Sequence, residues 1–111
     1  MTSEQFPRSE TLEIEKEVQY SDNSVVSRQV IKDAGGNVTL FAFDKGQELS
    51  EHTAPFDALV QVLDGEVEIF IAGLSYPLKK GSSIIMPANI PHAVKAVEKF
   101  KMLLTMVRKP E

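Results

Sequence analysis

The sequence predicts an all-β domain, an antiparallel sandwich or barrel of about eight short strands. Two observations carry this. Short apolar, β-branched runs recur along the chain, with turn signals roughly every eight to twelve residues. No stretch reads as a helix longer than one or two turns. At 111 residues the chain has room for one core, placed at residues 21–111 behind an N-terminal arm at residues 1–20.

The segment starts polar and carries Pro7, so residues 1–10 are expected to form a frayed tail or an arm. Thr11 to Tyr20 supports two readings. Leu12, Ile14 and Val18 alternate with acids as in a strand, whereas TLEIEKEV is rich in helix formers with acids early. A short or irregular element is expected there. Asp22-Asn23 marks a turn, and Val25 to Ile31 reads as a strand because VVSRQVI is β-branched. The cluster Asp33-Ala34-Gly35-Gly36-Asn37 separates it from Val38 to Phe43, which predicts a hairpin.

Asp44-Lys45-Gly46 then turns the chain into a polar loop. Leu59 to Leu63 is a strand, Asp64-Gly65 a hairpin turn, and Val67 to Ala72 the return, with Val67, Ile69 and Ile71 on one face. Tyr76 to Leu78 and Ser83 to Met86 follow, separated by Lys79-Lys80-Gly81, and the second stops at Pro87. His92 to Val97 and Lys101 to Val107 complete the set.

Two of these strands are apolar on both faces. Ala58, Val60 and Val62 alternate with Leu59 and Leu63, and Phe100, Met102, Leu104 and Met106 alternate with Leu103 and Val107. One face of a small barrel lines its interior, so the other needs a cover. Another sheet of the same chain or a second subunit would supply it, and a homodimer through a sheet face or exchanged edge strands is expected.

Composition narrows the partners. The net charge of −4 comes from scattered acids with no basic block, which argues against nucleic acid. The absence of cysteine excludes disulfides and thiolate metal sites and fits a reducing compartment. No run of 18 apolar residues occurs, and the acidic start lacks the features of a signal peptide. A cytoplasmic protein with no membrane partner is expected.

The two histidines, His52 and His92, both lie just beyond polar turns and beside prolines. His52 follows Gly46 by six positions and precedes Gly65 by thirteen. His92 follows Gly81 by eleven, with Pro87 and Pro91 between. Here the sequence resembles the cupin superfamily, whose motifs run G-x5-H-x-H-x3or4-E-x6-G and G-x5-P-x-G-x2-H-x3-N. Gly46, His52 and Gly65 fall on the first motif, and Gly81, Pro87 and His92 on the second. The resemblance spans about Val25 to Val107 and implies a double-stranded β-helix, the jelly-roll barrel of cupins.

It also implies a place for chemistry. In metal-binding cupins three first-motif residues and the second-motif histidine project into the barrel. In this sequence two of those four positions are Ala54 and Ala58, while Asn89 and Ala96 replace the second motif's glycine and asparagine. Methyl groups coordinate nothing, and a catalytic first-row metal takes at least three protein donors. Asp57 and Gln61 are the weaker substitute ligands, although both have the opposite strand parity to Ala58.

The expected site is therefore a ligand pocket formed by His52, His92, Ala54, Ala58, Val60, Met86 and Met102. It would take a small organic molecule, with or without a divalent transition metal (Zn, Ni, Fe or Mn) on His52 and His92. Two alternatives remain open. One is a metal-dependent dioxygenase, isomerase or decarboxylase using the two histidines and a substitute carboxylate. The other is a non-catalytic dimeric module.

Overall fold

Inward-facing apolar residues at every second position close two antiparallel sheets over one core. A computed structural model describes residues 6–108. Its elements are a short 3-10 turn at Ile14–Glu17 and nine strands: β1 (Val25–Asp33), β2 (Gly36–Phe43), β3 (Glu48–His52), β4 (Phe56–Asp64), β5 (Glu66–Ile71), β6 (Leu74–Lys79), β7 (Ser83–Met86), β8 (His92–Ala96) and β9 (Phe100–Arg108).

The first sheet has the order β1-β2-β9-β4-β7 and the second β3-β8-β5-β6. From β2 onward the chain steps back and forth between them, apart from the β5–β6 hairpin within the second sheet, which winds the strands into a jelly-roll barrel. The predicted first hairpin forms, with Asp33 opposite Gly36. The strand count is one higher than expected because Glu48–His52 pairs with β8, whereas its polar sequence reads as a loop. Pro77 is tolerated in β6 because that strand lies at the edge of its sheet.

The interior is built by the predicted parities. Ala58, Val60 and Val62 of β4 lie beside Phe100, Met102 and Leu104 of its neighbour β9 and pack with Val67, Ile69, Val94 and Ala96 of the second sheet. Phe43 and Phe100, register partners with no solvent exposure, stack with centroids 4.6 Å apart. Gly65 closes the β4–β5 turn at φ +77°, where a side chain would collide with the Lys99 carbonyl.

The outer face of the first sheet gets its cover from the arm. Phe6 and Val18 are buried against Leu40 and Ala42, with Leu12, Ile14, Val26, Leu63 and Leu103 packed around them. Of the two expected forms, a frayed tail or an arm, Phe6 is docked, at 3% exposure, while residues 1–5 lie outside the described part. Polar contacts then hold the arm. The Arg28 guanidinium lies over the Phe6 ring at 4.3 Å and donates to the Glu17 carbonyl at 2.8 Å. Lys101, 8% exposed, donates to the Glu15 carbonyl at 2.8 Å. The Tyr20 hydroxyl donates to Asp64 at 2.6 Å, and burial together with that carboxylate holds the phenol well above its ordinary pKa. Among the described residues no helix is long and apolar enough to cross a membrane.

Candidate functional site

His52 and His92 are opposite each other in the β3–β8 register. How His52 arrives there depends on a β-bulge. Leu49 pairs with Val94, and His52 with His92, so three steps along β3 match two along β8. The extra residue changes the parity of β3, and Leu49 and His52 both come to line one cavity. His92 reaches it by plain alternation with Val94 and Ala96.

The two Nε2 atoms lie 3.1 Å apart, with the rings at 67° to each other. Each ring is anchored through Nδ1 to a carbonyl two residues back: His52 to Ser50 at 2.7 Å, and His92 to Ile90 at 3.2 Å. A carbonyl oxygen only accepts, so each Nδ1 contact takes an N–H from its ring and the Nε2 contact between the rings takes another, the roles depending on the tautomers. The two Nε2 atoms converge beside the cavity. His92 is 6% exposed, whereas His52 is exposed, so the pair spans the step from solvent to interior.

The cavity behind the pair has a volume of about 200 Å³. Its walls are Phe41, Leu49, Ala54, Ala58, Met86, Val94, Met102, Leu104 and Met106, so among the described residues the two imidazoles are the only polar side chains lining it. Of the expected pocket residues, Ala54, Ala58, Met86 and Met102 are brought together with the histidines. Val60 is not: it is fully buried in the core one step further along β4. Met106 and Leu104 share the inward parity of Met102, a signal present in the sequence, whereas Leu49 was hidden by the unrecognised strand.

Asn89 explains one departure from the motif. Its φ is +63°, a left-handed conformation that asparagine tolerates better than most residues, and its N–H donates to the Ala54 carbonyl at 2.8 Å. That bond ties the β7–β8 loop to the corner before β4. The substitute ligands behave differently. Asp57 accepts a hydrogen bond from the Ala88 N–H at 2.9 Å. Gln61 is flanked in register by Leu103 and Ser83, with the outward parity of Leu59 and Leu63.

A family model described as a cupin domain matches residues 39–108. The chain belongs to the cupin family. This cupin is similar to a conserved protein of unknown function from Streptococcus pyogenes, with 38% identity over 96% of this chain and 93% of that one, at a TM-score of 0.90. It is also similar to a cupin 2 conserved barrel domain protein from Leptotrichia buccalis, with 42% identity over 87% of this chain and a TM-score of 0.85. The match covers 47% of that protein, so this chain spans about half its length. A cupin superfamily protein from Desulfitobacterium hafniense shares the fold at a TM-score of 0.88 with 24% identity. No curated protein matches this cupin.

The metal that the resemblance implies meets a poor donor set. Two imidazoles face the cavity, methyl groups stand at positions 54 and 58, and Asp57 is engaged with backbone. Among the described residues no group of three or more His, Cys, Asp or Glu is arranged to hold a metal ion. A catalytic first-row site takes three protein ligands and an open position, so the residues present do not fit one.

The electrostatics of the pair follow from its position. Burial lowers the pKa of His92 below the ordinary 6.5; the hydrogen bond to Ile90 opposes this, and nearby His52 lowers it further. Above pH 6.5 both folded and unfolded chains hold this ring neutral, and stability is full. As pH falls through 6.5 toward the lowered folded value, the unfolded chain gains a proton that the folded chain refuses. Stability then declines, and levels off below the folded value. Thermal melting against pH will show this acid-side decline in the parent and a smaller one in His92→Phe; equal slopes would refute it.

Proposed function

We propose that this cupin binds a small organic molecule in the cavity behind His52 and His92, without a resident catalytic metal. One observation carries the reading: an apolar cavity of about 200 Å³ whose only polar side chains, among the described residues, are two imidazoles with converging Nε2 atoms. Ligand pockets have this character, apolar walls with a few placed polar groups that orient the ligand. An engineered apolar cavity of about 150 Å³ takes up benzene, so the space suits a single ring or a short chain. No reaction is assigned, because among the described residues the cavity presents no nucleophile and no carboxylate.

The test is elemental analysis of protein purified without a histidine tag, combined with melting in the presence of toluene. Expected are well below one equivalent of Zn, Ni, Fe or Mn, a melting temperature unaffected by EDTA, and an upward shift with toluene. A full equivalent of metal that disappears in both His52→Ala and His92→Ala would overturn the reading in favour of a metal-dependent enzyme. Failure of toluene to bind at all would favour the non-catalytic module.

A further inference from the structure

We infer that the outer face of the first sheet is an interaction surface whose occupant is the same face of a second copy of this chain. Strand register defines the contact. Ile31 lies opposite Val38, Val38 opposite Thr105, Thr105 opposite Leu59, and Leu59 opposite Ile85. Residues directly opposite in an antiparallel ladder share a face, so these five side chains form one row across all five strands. Ile31 enters the row through the irregularity between Gln29 and Ile31, which sets it opposite Val38. The face is the outer one, because Ala58, Met86, Leu104 and Met106, the sequence neighbours of Leu59, Ile85 and Thr105, line the cavity inside.

The arm does not cover this row. Its cluster on the same sheet takes in Leu40, Ala42 and Leu103 and none of the five. Ile31 is 47% exposed and Ile85 62%, and Val107, the next outward residue of β9 after Thr105, is 57% exposed. Contiguous apolar surface of this kind marks an interaction site.

Size and charge point to a second copy. Five strands about 4.8 Å apart, with a flanking row about 6.6 Å to either side, give a face about 25 Å by 20 Å once side chains are included. That approaches the roughly 600 Å² that each partner gives up in a small stable interface. A two-fold axis along the row sets each of the five against its own counterpart, a contact that only uncharged residues allow, and none of the five is charged. The same rotation exchanges the flanking rows. On β1 these rows carry Arg28, opposite Leu40, and Asp33, opposite Gly36. Each Asp33 therefore comes to face Arg28 of the second copy, whose side chain keeps 38% exposure beside the arm. On β9 the rotation sets Val107 against Leu103, and on β4 Asp57 against Gln61. Opposite charges and apolar pairs thus coincide under one axis, which fixes the register of the contact. A net charge of −4, with Asp33 and Asp57 along one border of the row, disfavours an anionic lipid surface as the occupant.

The experiment is sedimentation equilibrium of the full-length untagged protein and of Ile31→Glu, Ile85→Glu and Leu74→Glu. Leu74 is the control, 62% exposed like Ile85 but on β6 of the second sheet. The parent and Leu74→Glu are expected at the mass of two chains. Ile31→Glu and Ile85→Glu, each felt twice in a symmetric contact, should raise the dissociation constant at least about tenfold. Both positions are exposed in the single chain, so circular dichroism should show both variants folded. Hydrogen exchange gives a readout without substitution: peptides containing Ile31 and Ile85 should exchange faster when the parent is diluted to monomer, and the Leu74 peptide should not. A parent that stays monomeric at 100 μM would overturn the inference. So would a dimer that tolerates both isoleucine substitutions, or one whose dilution changes exchange at Leu74 alone.

Discussion

Phe100→Ala will lower the unfolding free energy by about 3–5 kcal/mol. Phe100 opens β9, is fully buried, and stacks on Phe43 across the β2–β9 register at 4.6 Å. Truncation removes a large apolar surface, leaves a hole between two sheets tied by backbone hydrogen bonds, and breaks an aromatic pair worth about 0.5–1.5 kcal/mol beyond its area. Domains of this size hold only about 5–15 kcal/mol in total, so much of the stability is lost. Urea denaturation measures it directly. A loss below about 1 kcal/mol would mean that this end of the barrel collapses to fill the space.

The second large effect is a gain. Ala54→His combined with Ala58→Glu supplies the two missing donors beside His52 and His92, since both alanines line the same cavity. Without metal the double variant will melt below the parent, because position 58 is 4% exposed and a carboxylate there is desolvated. With Zn²⁺ or Ni²⁺ the order reverses. A metal at a thousand times its dissociation constant adds about 4 kcal/mol to the folded state. The parent, with two donors, will show no comparable shift. A folded double variant that holds no metal in elemental analysis would show that positions 54 and 58 do not aim at the point where the imidazoles converge.

Most of the barrel was legible because strand parity and turn chemistry act locally. Ala58, Val60 and Val62, or Met102, Leu104 and Met106, announce an inward face by alternation alone. The glycine and histidine spacing then locates the two sides of the pocket. Three things were not legible. Glu48–His52 has a polar outer face and one inward leucine, so its identity as a strand comes from hydrogen bonds to β8 rather than from its own pattern. The bulge that brings His52 into line with Leu49 is a two-strand property with no single-strand signature. The burial of Phe6 depends on a surface assembled from β1, β2, β4 and β9, and a polar segment around one aromatic gives no hint of it. The two-sided strands did signal that a cover was needed. Over much of the first sheet that cover is the chain's own arm.

That arm imposes an order on biosynthesis. Glu15 receives its hydrogen bond from Lys101, 86 residues later, and Phe6 shares its cluster with Leu103. The arm therefore waits for nearly the whole domain to be translated before it can dock. Until then β1 and β2 carry an uncovered apolar surface and lack their neighbour β9. Such exposed, half-paired sheets are the species on which aggregation and chaperone binding act. Among the described strands β9 comes last, and it is the one that joins β2 to β4 in the first sheet.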